Sequence, residues 1–257
     1  MSVRASKNHV MVIDIGNTST AIGLYSGDYL KRTIRIPTGD AQGAKLMEAL
    51  TSFKKNTHMD GGVVASVVPS RTEGVLRAVK RVTGQRALLV THKTKLGAPI
   101  TYPHPDRIGA DRLANAAGAL KKYAPPIIVV DIGTATTFDI LLDGQGYAGG
   151  VIAPGPDLML EYLSDKTALL PRIKLRPVRR PVGKSTVEAM RIGALHGYRG
   201  MVKEILSYCT KDLRGEKVTL CVTGGYARWV MEGLDIPFVY DKNLTLFGLA
   251  TIYGLNR

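Results

Sequence analysis

Asp14 and Asp131 are the residues around which chemistry can be built. Asp14 ends the apolar run Val12-Ile13 and is followed by Ile15-Gly16-Asn17-Thr18-Ser19-Thr20. Asp131 ends Val129-Val130 and is followed by Ile132-Gly133-Thr134-Ala135-Thr136-Thr137, 117 residues further on. Each copy is an apolar run closed by a carboxylate, then a glycine turn rich in hydroxyls, then a second short apolar run. That is the layout of a β-hairpin that offers backbone N–H groups to a phosphate and a carboxylate to its metal. Asp14 would hold Mg²⁺ directly or through water, while the amides of Gly16 to Thr20 face phosphate oxygens. Thr18, Ser19 and Thr20 add hydroxyls. The turn is not a Walker A loop, since it has neither the GxxxxGK[ST] pattern nor a lysine. Asp131 has hydroxyls and carbonyls around it rather than imidazoles, so K⁺ or Mg²⁺ suits it better than zinc. Asp-x-Gly is common in ordinary turns; the duplication is what raises the reading to a phosphotransferase with a nucleotide ligand and a duplicated fold.

Further candidates lie outside the two turns. Gly109-Ala110-Asp111-Arg112 opens a helix whose first amides can hold an anion. There Asp111 is a candidate general base and Arg112 a clamp for a carboxylate or phosphate. Routine helix capping explains the same residues and stays open as the alternative. Thr223-Gly224-Gly225 after a buried strand either lets backbone approach a nucleotide or is a plain strand-to-helix turn. Gly183-Lys184-Ser185-Thr186 offers another anion site at a helix start. His104, alone in a loop, is the weakest of the set.

The elements that must position these residues alternate between strand and helix patterns. Strands are expected over Val10–Ile15, Ala21–Tyr25 and Tyr29–Ile36, with Gly27-Asp28 as a hairpin turn. Helix Ala41–Phe53, strand Gly62–Val68, helix Arg71–Val82 and strand Arg86–Val90 follow. Pro99, Pro103 and Pro105 keep 97–108 a loop. Helix Asp111–Lys122 then leads into a second round. Its strands are Ile127–Val130, Phe138–Leu142 and Tyr147–Ala153, followed by helices Leu158–Leu170 and Ser185–Ser207. Strand Val218–Val222, helix Ala227–Glu232, strand Phe238–Tyr240 and helix Leu244–Tyr253 complete it. The division falls into residues 1–115 and 116–257.

Composition bounds the class. The chain has 257 residues, 45% hydrophobic and 22% charged, the balance of a globular protein. No apolar run approaches the ~20 residues needed to span a bilayer. The first residues, MSVRASKNHV, lack the apolar stretch of a signal peptide. Cys209 and Cys221 are the only cysteines, read as free thiols in a reducing, cytoplasmic compartment. The formal net charge is +14, which a nucleic-acid binder could also carry. The densest basic run, Arg172, Lys174, Arg176, Arg179, Arg180 and Lys184, is interleaved with proline and aliphatics and lacks aromatic platforms. It reads as a solvated edge, with attraction of an anionic ligand as the alternative, and nucleic acid is not expected as a partner.

Taken in order, these residues resemble the type III pantothenate kinase family of bacterial coenzyme A biosynthesis. The resemblance runs over nearly the whole chain. Besides the two Asp-Gly turns and Gly109–Arg112, it includes Ser66-Val67-Val68-Pro69, Gly149-Gly150-Val151-Ile152-Ala153-Pro154-Gly155, Ala168-Leu169-Leu170-Pro171, Thr223-Gly224-Gly225 and Leu244-Thr245-Leu246. It implies an α/β chain with the duplicated ribonuclease-H-like fold of the acetate and sugar kinase/Hsp70/actin superfamily. It implies ATP-dependent phosphorylation of pantothenate by a homodimer, with magnesium and potassium or ammonium. It gives Asp14, Ile15, Gly16, Asn17, Thr18, Ser19, Thr20 and Ala21 the first phosphate-binding role and Thr134 an ATP contact. Asp111 becomes the proton acceptor, with Tyr102, Gly109, Ala110, Arg112 and Thr186 at pantothenate. Asp131 becomes the monovalent-cation ligand. Ser185 stands where many members carry Asn or Asp. The runner-up is a kinase or phosphatase of the same fold with another small hydroxylated substrate, and the rival from another class is a nucleic-acid-associated regulatory protein that keeps the fold without turnover. Salt-dependent nucleic-acid binding without ATP turnover would discriminate it.

Overall fold

The computed structural model describes residues 9–54, 58–213 and 216–257. The expectation about a signal peptide therefore falls largely on residues 1–8, outside the described residues. Strand β1 (His9–Ile15) turns back into β2 (Ser19–Ser26), and Gly27, at φ 59°, turns β2 into β3 (Tyr29–Pro37). Helix α1 (Gly43–Thr51) leads to β4 (Gly61–Ser66), which lies parallel to β1. Helix α2 (Pro69–Thr83) has proline in its first turn and stops on Gly84 in the left-handed conformation, φ 80°. Both ends follow from residue type: proline needs no intrahelical N–H partner there, and glycine carries no Cβ penalty at positive φ. The short β5 (Leu88–Leu89) pairs parallel with β4, so the sheet order is β3-β2-β1-β4-β5.

After helix α3 (Ala110–Lys122) the plan is repeated by β6 (Ile127–Ile132), β7 (Ala135–Leu142) and β8 (Gly146–Pro154). Helix α4 (Pro156–Lys166) and helix α5 (Thr186–Ile192) follow. A π-helical turn (Gly193–Gly197) joins α5 to α6 (Tyr198–Cys209). Strand β9 (Thr219–Thr223), α7 (Ala227–Met231), β10 (Val239–Tyr240) and α8 (Leu244–Leu255) end the chain. The second sheet runs β10-β9-β6-β7-β8. Read from β8, each sheet places its third, second, first, fourth and fifth strands in that order.

Met11, Ile13 and Ile15 of β1 meet Leu46 and Leu50 of α1 and Val75 and Val79 of α2 in one apolar cluster. The opposite face of the sheet is covered too: Gly23 lies against Val12 and against Leu246 of α8. Burial on both faces explains why β1 reads as a continuous apolar run rather than an alternating one. In the second sheet, Ile128, Val130, Ile132 and Phe138 pack on Tyr198, Val202 and Leu206 of α6.

The chain forms two compact units. The first holds the described residues through Tyr123 together with Gly144–Ala148 and Asn243–Arg257; the second holds Ala124–Asp143 and Gly149–Lys242. The expected division at residues 115 and 116 falls inside α3, which stays whole in the first unit. Helix α8 joins that unit because it packs on α3 with backbones in contact. A Cβ on Gly248 would stand 1.7 Å from Ala114 O, and one on Gly118 would stand 2.8 Å from Leu244 O.

Two helices differ from expectation. Helix α4 ends at Lys166, since Thr167 is already extended (φ −128°, ψ 149°). Pro171, Pro177 and Pro181 keep the residues that follow out of a helix. The expected helix over Ser185–Ser207 is interrupted by the π-helical turn, which Gly193 and Gly197 bound. Cys209 is half-buried and Cys221 buried, both as free thiols. No helix among the described residues is long and apolar enough to cross a membrane.

Candidate functional site

In the first unit, Asp14 sits half-buried near the carboxyl end of β1, beside Ala21 on β2 and Ala65 on β4. Carboxyl ends of parallel strands are where open α/β sheets take ligands. The turn that follows is closed by Gly16 N–H donating to Ser19 O at 3.1 Å. Asn17 and Thr18 are exposed and Ser19 is half-buried.

Two expected donors of this turn are committed elsewhere. The Gly16 amide closes the turn, so it does not face a phosphate. Thr20 is buried, its hydroxyl 3.1 Å from Thr38 Oγ1. Ile15 and Ala21 are buried as well.

Val67 ties this turn to Asp111. Its N–H donates to Ile15 O at 3.1 Å, and its Cγ1 lies 3.6 Å from where a Cβ on Gly109 would stand. Gly109 precedes α3, and a Cβ there would come within 2.5 Å of Asp111 Oδ1. Any larger residue there would have to displace the carboxylate beside it. Asp111 Oδ1 accepts the Arg112 N–H at 2.8 Å. Although part of Asp111 reaches solvent, its carboxyl is surrounded by protein. That burial pushes its pKa above the ordinary carboxylate value, against the lowering by the Arg112 amide and guanidinium.

The proline-rich loop is placed by a strap that sequence reasoning did not single out. Tyr147 N–H donates to Pro99 O and Thr101 N–H to Tyr147 O, both at 3.0 Å. A Cβ on Gly146 would stand 2.0 Å from Pro99 O. The buried Tyr147 ring then meets the Tyr102 ring edge-on at 6.4 Å, and the Arg112 guanidinium lies 5.8 Å from its centroid. Tyr147 thereby links two residues expected at the substrate, Tyr102 and Arg112. Its only sequence signal was an aromatic next to a glycine turn. His104 is exposed.

In the second unit, Gly133 N–H donates to Ala135 O at 3.0 Å. This hairpin is one residue tighter than the first: Asp14 pairs with Ala21, but Asp131 pairs with Thr137. Asp131 is half-buried, and Thr137 Oγ1 across from it is buried with no hydrogen-bond partner among the described residues. Thr223 of β9 lies in register on its other side. Gly224, at φ +98°, comes so close that a Cβ would stand 2.4 Å from Ile132 O and 2.6 Å from Asp131 Oδ1. The group is oxygen-rich and lacks imidazole, as a hard cation requires. Thr134 is exposed on the turn, and its carbonyl accepts the Gly155 N–H at 3.0 Å.

The start of α5 is a capping box rather than an open anion site. Glu188 N–H donates to Ser185 Oγ at 3.2 Å, and Lys184 N–H donates to Glu188 Oε2 at 2.8 Å. Thr186 follows, exposed, in the first turn. The basic residues from Arg172 to Lys184 are all exposed, with Arg172 paired to Asp165 at 2.9 Å.

A family model described as type III pantothenate kinase matches residues 10–208. The chain is 42% identical over 247 residues to a type III pantothenate kinase of Akkermansia muciniphila, covering 96% of this chain and 98% of the relative. It is 37% identical over 256 residues to one of Finegoldia magna, covering 96% and 98%. Among solved structures it is similar to a Baf family protein, described as a transcriptional activator, of Campylobacter jejuni (TM-score 0.56, 19% identity, 95% and 97% covered). It is similar also to the ROK hexokinase of Thermus thermophilus (TM-score 0.53, 15% identity, 95% and 97% covered). These structural likenesses are to the fold alone: the duplicated ribonuclease-H-like fold of the acetate and sugar kinase/Hsp70/actin superfamily.

Proposed function

We propose, for a chain that belongs to the type III pantothenate kinase family and so transfers a phosphoryl group from ATP to pantothenate, that Asp111 is the base of the reaction. The product, 4'-phosphopantothenate, starts coenzyme A biosynthesis. The buried carboxylate beside Gly109 carries this reading, since a raised pKa makes a stronger proton acceptor. As the pantothenate hydroxyl oxygen bonds to the γ-phosphorus, the bridging P–O bond to ADP breaks and Asp111 takes the hydroxyl proton. Arg112, held by Tyr147, orients the acceptor together with Tyr102, Gly109, Ala110 and Thr186. The turn from Asp14 to Ala21 holds the phosphates through its outer residues, Asn17, Thr18 and Ser19, and Thr134 adds a contact from the second turn. Positioning and electrostatics then supply most of the rate.

Asp14 is the residue to hold magnesium, directly or through water. Asp131, with Thr137 and Thr223 beside it, is the residue to hold potassium or ammonium. Both ions offset phosphate charge when bound. The two compact units are read as the N-terminal and C-terminal ribonuclease-H-like halves, and the enzyme as cytoplasmic.

The assay that tests the reading measures ADP released from ATP and Mg²⁺, with and without pantothenate, and with K⁺ or NH₄⁺ against neither. Turnover should require pantothenate and rise with the cation. ATP turnover that ignores pantothenate would refute the acceptor.

We propose further that the enzyme is a homodimer formed through the apolar face of the second unit. Tyr162 on α4 is 65% exposed, and Leu169, just past the end of that helix, 90%. Leu158, Met159 and Leu163 of α4 line a cavity of ≈ 1040 Å³ with Met190 and Ala194. A patch of this kind normally meets a partner. Sedimentation should give twice the chain mass, and Tyr162→Glu should give single chains; a monomeric wild-type protein would exclude the dimer.

A further inference from the structure

The first phosphate turn is braced by the end of β3, and that brace carries a charge. Thr38 Oγ1 donates to Gly16 O at 2.6 Å, and Thr38 N–H donates to Thr18 O at 3.0 Å. In a trans peptide the C=O and N–H point in opposite directions. Holding the carbonyls of Gly16 and Thr18 therefore aims the N–H groups of Asn17 and Ser19 away from Thr38. The buried Thr20 hydroxyl, next to Thr38 Oγ1, fixes the same side chain from below.

Three residues before Thr38, Arg35 is exposed and its Nη1 donates to Ser19 Oγ at 2.9 Å. Arg35 forms no ion pair among the described residues. Arg32 on the same strand behaves differently: it donates to Ser52 O at 2.8 Å and stacks 4.9 Å from the Phe53 ring centroid. A guanidinium carries five donors in a planar fork, so one bond to Ser19 leaves most of Arg35 for another partner.

The second unit repeats the brace without the charge. Gly155 takes the place of Thr38, donating its N–H to Thr134 O at 3.0 Å. It must be glycine, since a Cβ would stand 2.1 Å from Gly133 O and 2.3 Å from Thr134 O. Tyr198 takes over one of the two hydroxyl contacts: it hydrogen-bonds Thr136, as Thr38 does Thr20, and donates to Pro154 O at 3.2 Å. Burial pushes the Tyr198 phenol up to about 12, so it stays a neutral donor. At the position of Arg35, three before Gly155, stands Ile152. The duplicated turns thus differ in one permanent positive charge, and only the first turn has it.

We propose that Arg35 contacts the phosphates of the nucleotide at the first turn, and that Thr38 is the positioning residue that aims the turn's amides at them. The proposal rests on reading this turn as the phosphate site of the kinase. A fixed guanidinium there meets the charge that grows on the transferring group.

The test compares Arg35→Gln, Arg35→Lys, Thr38→Val and Thr38→Ser with the wild-type enzyme. Arg35→Gln should lower kcat/KM for ATP roughly 10–100-fold, as loss of one charge-stabilising donor does, with KM for pantothenate within about two-fold. Arg35→Lys should recover part of the loss, and Thr38→Ser should stay near wild type while Thr38→Val falls. Because Thr38 is buried and its valine variant can lose folding, the exposed Arg35 variants decide. MgATP and adenosine titrations keep the two readings apart: Arg35→Gln should weaken MgATP and leave adenosine unchanged even if pantothenate proved the wrong acceptor. ATP parameters within about two-fold of wild type in Arg35→Gln, or equal losses for ATP and pantothenate, would overturn the proposal.

Discussion

Asp111→Asn is expected to lower kcat roughly 10²–10⁴-fold, the contribution of a positioned general base. Asparagine has the same shape and can still accept the Arg112 N–H, so substrate and nucleotide KM values should change little. The wild-type rate should fall as pH drops through the raised Asp111 pKa, because the protonated acid cannot take the hydroxyl proton. That acidic limb should be missing from the residual activity of the variant. Stability should move the other way. Burial makes the carboxylate cost free energy in the folded state, so the stabilising contribution of the neutral acid is present at low pH and lost as pH rises through the folded pKa. Asparagine stays neutral, and the variant's Tm at pH 8 should exceed the wild type's, with the gap closing in acid. A kcat loss of only a few-fold would remove Asp111 from the role of base. A lower Tm at pH 8 would mean that the carboxylate stabilises this helix start more than its burial costs.

Gly224→Ala is expected to strip the enzyme of its monovalent-cation response. The new Cβ would stand 2.4 Å from Ile132 O and 2.6 Å from Asp131 Oδ1, in a backbone conformation at φ +98° that alanine resists. Strain at such a position costs about 1–3 kcal/mol before the two contacts are relieved. Relief requires Gly224 to withdraw or both the β6 carbonyl and the Asp131 carboxylate to move, and the carboxylate, as a side chain, moves first and takes the cation ligand out of place. Turnover without added cation should fall less than turnover with K⁺ or NH₄⁺. The neighbour supplies the control: a Cβ on Gly225 meets nothing within 4 Å, so Gly225→Ala should keep both stability and cation response. Full K⁺ stimulation in Gly224→Ala would detach the cation from this corner of the fold.

Much of this protein was legible in its residues because the signals are local. Apolar runs ending in Asp-x-Gly twice over announced two hairpins, and proline at the start and glycine past the end of α2 marked its limits. Asp111 and Arg112 were legible as a helix start, and the ordered set of motifs pointed to the family. Local patterns also set the errors. A one-residue difference in hairpin length leaves the motif's residue types untouched, so the tighter second turn, which puts Thr136 rather than Thr137 in the place of Thr20, could not be read. The end of α4 was missed because Leu169 and Leu170 continue its apolar pattern; whether leucines face a core or solvent is a tertiary matter.

What the chain determined by itself is its strand and helix order, its duplicated turns and the residue types available for phosphate, base and cation. What only the tertiary structure decided is how those groups are set. Val67 joins Ile15 to Gly109 and so to Asp111, Tyr147 joins Tyr102 to Arg112, Thr38 faces the first turn, and α8 returns to α3. Each of these contacts pairs residues far apart along the chain. Burial, close backbone approach and hydrogen-bond direction are properties of such pairs, and a linear pattern of residue types does not contain them.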